Sequence, residues 1–160
     1  MSNFARAIAN FLYRVNAKKK AFAQANPNEP ILACEAAKAI ELSEDKDPAY
    51  GAEWVTSKRS IFLMTEQKIY IGKWEIPLEQ ITKAELLKFS SLYGKGMLLK
   101  FTTQQGKYYQ VGMSDSPELE QQTVLHVEIR TQKLKYSFLS IIARIVLLAY
   151  LVYIVWKKFL

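Results

Sequence analysis

Apolar residues follow three different rhythms along this chain. From Phe4 to Phe22 they recur at helical spacing, from Ile31 to Gly112 they form short runs between turn residues, and from Phe138 they are almost continuous. In the first stretch, NFARAIANFLYRVNAKKKAFAQA (3–25), Phe4, Ile8, Phe11, Leu12, Val15 and Phe22 fall within about 100° of one another on a helical wheel. Arg6, Asn10, Tyr13 and Lys20 face the other way. One basic amphipathic helix is predicted. Lys18 and Lys19 flank its apolar stripe, where a lysine lays its stem on apolar surface and keeps its charge in water or among headgroups. Such a helix lies on a membrane or a partner, or covers the protein's own sheet, and the pattern admits both. Asn26-Pro27-Asn28-Glu29-Pro30 ends it.

The second rhythm is that of strands. ILACEAAKAIEL (31–42), RSIFLM (59–64), KIYIGKW (68–74), ITKAELLKF (81–89), GMLLKF (96–101) and KYYQVG (107–112) are separated by SEDKDPAYG, YGKG and TQQGK. The first run is ambiguous, because its alanines suit a helix equally well. After the last, MSDSPELEQQ carries a strong helix start: Ser116 as N-cap, Pro117 at the first helical position, and Glu118 and Glu120 in the first turn. No Pro follows residue 117 and no Gly follows residue 112. This helix is therefore expected to close the domain and to run on, with a soft spot near 131–137, into the final apolar segment.

That segment, 138–156, has the length of a membrane span. As a helix it reaches about 28 Å, against a hydrocarbon core of about 30 Å. Its many Phe, Leu, Ile and Val side chains outweigh the roughly +2.5 kcal/mol of one central arginine. Arg144 is not central; about 9 Å from Phe138 by helical rise, it snorkels to the near interface or pairs with a neighbouring helix. Trp156, Lys157 and Lys158 mark the far side. A single C-terminal transmembrane helix is predicted.

Charge distribution sharpens this picture. The chain carries +7 overall, but residues 1–28 and 133–160 hold five basic side chains each and no acid, so the middle is mildly acidic. Basic ends on an acidic domain suit an anionic membrane surface better than nucleic acid. One cysteine, Cys34, permits no internal disulfide, and one histidine, His126, leaves no His/Cys metal cluster. No phosphate-binding glycine loop, paired-carboxylate motif or nucleophile elbow is found, and no cofactor or small-molecule substrate is indicated. No enzyme activity is expected. The N-terminal residues lack the continuous apolar region of a signal peptide, which predicts a cytoplasmic domain on a single-pass cell-membrane protein.

The segment TSKRSIFLMTEQKIYIGKWEIPLEQITKAEL (56–86) resembles the core of bacterial PH-like and GRAM-like domains of the pleckstrin-homology superfamily. The resemblance is carried by Met64-Thr65-Glu66-Gln67-Lys68-Ile69-Tyr70 and Ile76-Pro77-Leu78-Glu79-Gln80-Ile81. It implies an α+β, mostly β fold: a barrel of about seven antiparallel strands closed by a C-terminal helix. The expected organisation is a basic helix and linker (1–28), a PH-like domain (29–133) and a transmembrane anchor (134–160). The family's lipid-headgroup sites imply Lys46, Lys58 and Arg59 as candidates, although Glu44, Asp45, Asp47 and Glu53 in the same loop oppose them. Membrane or partner contacts are expected at Phe4, Ile8, Phe11, Val15, Lys18, Lys19, Arg144 and Trp156. The expected work is binding: an adaptor, assembly factor or accessory subunit of a membrane protein complex, or alternatively a tethered lipid-headgroup sensor.

Overall fold

The segment whose alanines suited helix or strand, Ile31–Leu42, is strand β1, and it lies inside the sheet. The computed structural model describes residues 2–46, 57–91 and 94–131, together with Ile142, Val146, Ala149, Tyr150, 152–154 and Lys157. The side chains of residues 2–5, 58, 91 and 94 lie outside that description. The strands after β1 are β2 (Lys58–Thr65), β3 (Lys68–Ile71), β4 (Trp74–Pro77), β5 (Ile81–Ser91), β6 (Gly94–Thr103), β7 (Tyr108–Ser114) and β8 (Glu128–Thr131). They form one sheet in the order β4-β3-β2-β1-β7-β6-β5-β8. Strand accounts for 48% of the chain, which makes the fold mostly β, and the sheet curls into a half-barrel.

The curl can be read from one aromatic contact. Trp74 in β4 and Tyr109 in β7 are separated by three strands, which in a flat sheet would hold them about 19 Å apart. Their ring centroids are 5.4 Å apart. Bulges at Leu32 in β1 and Thr82 in β5 add local twist, and small side chains on β1 make room inside the curve. Ala33, Ala37 and Ala39 all point into the core, where they meet Phe62, Met64, Met97, Leu99 and Phe101. The alanines are there because the concave side is crowded. Pro77 ends the edge strand β4, where no ladder donor is needed, and Ile76 joins the core with Leu78 and Ile81 packed against it.

Two helix expectations are corrected. The N-terminal helix is broken in two, α1 (Ser2–Leu12) and α2 (Val15–Ala25), with Arg14 between them in the left-handed region at φ 55°. The helix begun at Ser116 stops after five residues as α3 (Pro117–Gln121), and Glu128–Thr131 is a strand. Gln122 explains how the chain turns without Gly or Pro: its side chain accepts from Leu125 N and donates to Leu125 O, each at 2.8 Å. The chain beyond is rich in β-branched residues, and the free edge of β5 gives them a ladder. β8 pairs parallel to β5, from Glu85 opposite Glu128 to Lys88 opposite Thr131. It therefore runs toward the end where Lys88 meets Glu120 of α3 at 2.6 Å.

The predicted span at 138–156 lies outside the described residues, except that Ile142, Val146, Ala149, Tyr150 and 152–154 are helical and exposed. Among the described residues no helix is long and apolar enough to cross a membrane.

The β3–β4 turn tests the local reading. Gly72 has φ +60°, and a Cβ there would meet Ser60 Oγ at 2.9 Å; Gly106, at φ +73°, has nothing within 4 Å. Gly72→Ala is expected to cost about 1–2 kcal/mol from the left-handed backbone alone, with the Ser60 clash added. Gly106→Asn is expected to cost less, since asparagine tolerates this conformation. Denaturant melts of the two variants that ranked them the other way would refute this assignment.

Candidate functional site: the two N-terminal helices

Glu35 lies on the concave side of β1, opposite Phe62 in the register, and is 1% exposed. A buried carboxylate needs cationic or hydrogen-bond partners, and α1 brings both. Arg6 donates from Nε at 3.0 Å and pairs through a second guanidinium nitrogen, while Asn10 Nδ2 donates at 2.9 Å to the other oxygen. Asn10 Oδ1 accepts from Ala36 N at 3.0 Å, so the amide clamps side chain and backbone together. Arg6 also reaches Glu118 of α3 at 2.7 Å. Partial burial raises the Glu118 carboxyl, but its own backbone N–H, the Ser116 hydroxyl and Arg6 together hold it below the ordinary range.

These bonds decide which way α1 faces. Arg6 and Asn10 are four residues apart and share one face, opposite the apolar stripe. With the polar face turned in, Ile8, Phe11 and Leu12 turn out, at 43%, 82% and 69% exposure. The helix is docked by its polar side. This reverses the usual arrangement, in which the apolar stripe covers the core. The predicted stripe is then divided at Arg14, because Val15 beyond the break is 2% exposed and packs within the domain. Val15 is thus withdrawn from any external contact.

The second helix lies over the outer face of the sheet. Phe22 meets Tyr70 edge-on with centroids 4.9 Å apart. The linker after α2 is pinned by Glu29, which accepts from Thr65 Oγ1 at 2.7 Å and from the Tyr70 hydroxyl at 3.2 Å. Between α2 and strands β2 and β3 remains a cleft of about 580 Å³, mostly apolar in its lining. Lys18 and Arg59, read in the sequence as separate candidates, both line it.

The other predicted positions are dispersed. Lys46 faces Glu44 at 3.7 Å, and its carbonyl accepts from Gln110 of β7. Lys19 is exposed on α2. Phe4 is within α1 and Lys58 within β2, their side chains outside the described ones; Arg144 and Trp156 are outside the described residues. Cys34 is half-buried, its thiol pushed up to about 11, chiefly by burial, with Lys19 opposing and Glu35 adding to the rise. It is a poor nucleophile in this setting. His126, expected on a helix, is exposed in the irregular stretch before β8. Among the described residues no group of three or more His, Cys, Asp or Glu is placed to hold a metal ion.

Sequence periodicity located the stripe of α1 but missed Glu35, Asn10 and Arg6 as a unit. A lone acid in an otherwise apolar run, CEAA, was the available signal.

Arg6→Ala is expected to destabilise the protein by about 3 kcal/mol, the low end for breaking a buried ion pair, because Arg6 itself is 23% exposed. Amides of residues 2–12 should exchange faster as α1 loosens. Glu118, with its lowered carboxyl, contributes fully above its ordinary pKa, and that share is lost as pH falls through its depressed value, so acid weakens the contact. A variant with parental melting temperature and parental exchange would sink this account. No model of a known protein family matches the chain, and no curated protein matches it.

Proposed function

We propose that the chain is a membrane-held binding module of PH-like architecture, serving as an adaptor or accessory subunit of a membrane protein complex. The observation that carries this reading is the outward apolar face of α1, fixed there by the Glu35 contacts. A soluble domain has no use for Phe11 and Leu12 held rigidly in water, whereas an interfacial or protein-covered helix requires them. Lys18, Lys19 and Lys20, all exposed on the adjoining α2, add attraction to an anionic surface. β8 runs toward the end of the half-barrel where α1 and α3 meet, so Thr131, its last residue before the proposed anchor segment, lies near that end. Arg144 in that span either snorkels to the interface or pairs within the complex.

The PH-like part of the proposal rests on the resemblance of 56–86 and is supported by seven antiparallel-paired strands in a curled sheet. The short helix α3 packs on the core through Leu119, and α1 adds the polar contact to Glu35. The headgroup-sensor alternative gains nothing from Lys46, whose charge is opposed by Glu44.

The full chain can be reconstituted in phosphatidylcholine/phosphatidylglycerol vesicles with an environment-sensitive fluorophore on Phe11→Cys, in a Cys34→Ser background. Blue-shifted emission, quenched by spin-labelled lipid and not by aqueous iodide, is the expected result. Iodide quenching equal to that of the free dye would refute the membrane contact.

A further inference from the structure

The cleft beneath α2 has the chemistry of a ligand site. Its floor is the outer face of β2, where Arg59, Ile61 and Leu63 alternate with inward residues at steps of about 7 Å. Charge therefore stands at one end of the floor and apolar side chains at the other, where Ile61 is partly exposed and Leu63, 3% exposed, lies opposite Tyr70, which Phe22 caps. The helix wall repeats this pairing, with Lys18 one turn before Phe22. Lys38 sits directly across from Arg59 in the β1–β2 register and adds a third positive charge nearby.

Lys18, Lys38 and Arg59 meet no carboxylate within 4 Å among the described residues, and of the cations in that state, which include Lys73 and Lys95, Lys18 and Arg59 line the cleft. Without a carboxylate partner, Lys18 and Arg59 leave their positive charge facing the cleft. The volume of about 580 Å³ falls in the range of small-molecule sites. Gly72 keeps the sheet rim bare, since any side chain there would strain the turn and strike Ser60.

We propose that this cleft binds a single-chain anionic amphiphile of the fatty-acid class, its chain along Ile61, Leu63 and Phe22 and its carboxylate met by Lys18 and Arg59. Arginine's planar fork suits a carboxylate, and one extended apolar floor suits one chain. The inference goes beyond the membrane reading and is independent of it: the α1 label and the measurement below can fail separately.

The test uses the full chain in phosphatidylcholine nanodiscs, titrated with 11-dansylaminoundecanoate, with empty discs subtracted. Saturable binding is expected, displaced by laurate and not by dodecyltrimethylammonium or inorganic phosphate. Lys18→Glu with Arg59→Glu should weaken it at least about tenfold, and Ile61→Trp should abolish it by filling the floor. Lys95→Glu, the same charge change on an exposed residue of β6, should leave it unchanged. Should the double variant melt early, Lys18→Gln alone on the exposed helix still weakens binding several-fold. Binding no greater than to empty discs, equal displacement by the cationic amphiphile or by phosphate, or parental affinity in well-folded cleft variants would overturn the proposal.

Discussion

Glu35 puts a carboxylate where the curl of the sheet allows almost no water. Left without partners, a buried carboxylate costs several kcal/mol. Arg6 and Asn10 supply donors to both of its oxygens, and Asn10 ties in the Ala36 backbone as well. An eleven-residue helix is marginal by itself in water. Its place on the domain depends on these few polar bonds, and they also choose which side of it the solvent or a membrane sees. Through Arg6 the same contact holds Glu118, so α1, β1 and α3 are joined at one charged cluster.

The break at Arg14 follows from the same demand. A continuous helix would carry Phe11 and Val15 on one side, both outward or both inward. With Arg6 and Asn10 fixed against the sheet, the stripe must point out through Leu12, and the left-handed turn reverses it so that Val15 and Phe22 can be used for packing. A left-handed arginine costs roughly 1–2 kcal/mol, and burial of Val15 with the Phe22 contact offsets a cost of that size. One amphipathic sequence thus performs two tasks, display before the turn and closure after it.

Much of the sheet was legible because strands advertise themselves by short apolar runs and turn residues. Five of the six runs named from the sequence fall in single strands, including the alanine-rich one, while KIYIGKW is divided between β3 and β4 by the turn at Gly72. What escaped was decided by distant partners. Nothing between Gln121 and Glu128 tells the chain to stop being helical except a glutamine that folds back on Leu125 and an open β5 edge far away in sequence. The polar face of α1 looked solvent-facing because helical periodicity measures the helix and not its dock, and the acid that receives it is 29 residues from Arg6. Lys18 and Arg59 became one site only through the crossing of α2 over β2.

The parallel set of β8 means that the chain departs beside α1 and not from the opposite rim. On the proposed membrane reading, two attachments then share one end of the domain, and the second to engage does so as an intramolecular event at roughly millimolar effective concentration. A short helix with three exposed apolar side chains, too weak to recruit a domain from solution, becomes sufficient once the tail has brought it to the surface. On the same proposed reading the pair would also set orientation: a single tether leaves a domain free to spin, whereas two contacts at one end would hold the cleft under α2 at a constant height above the bilayer.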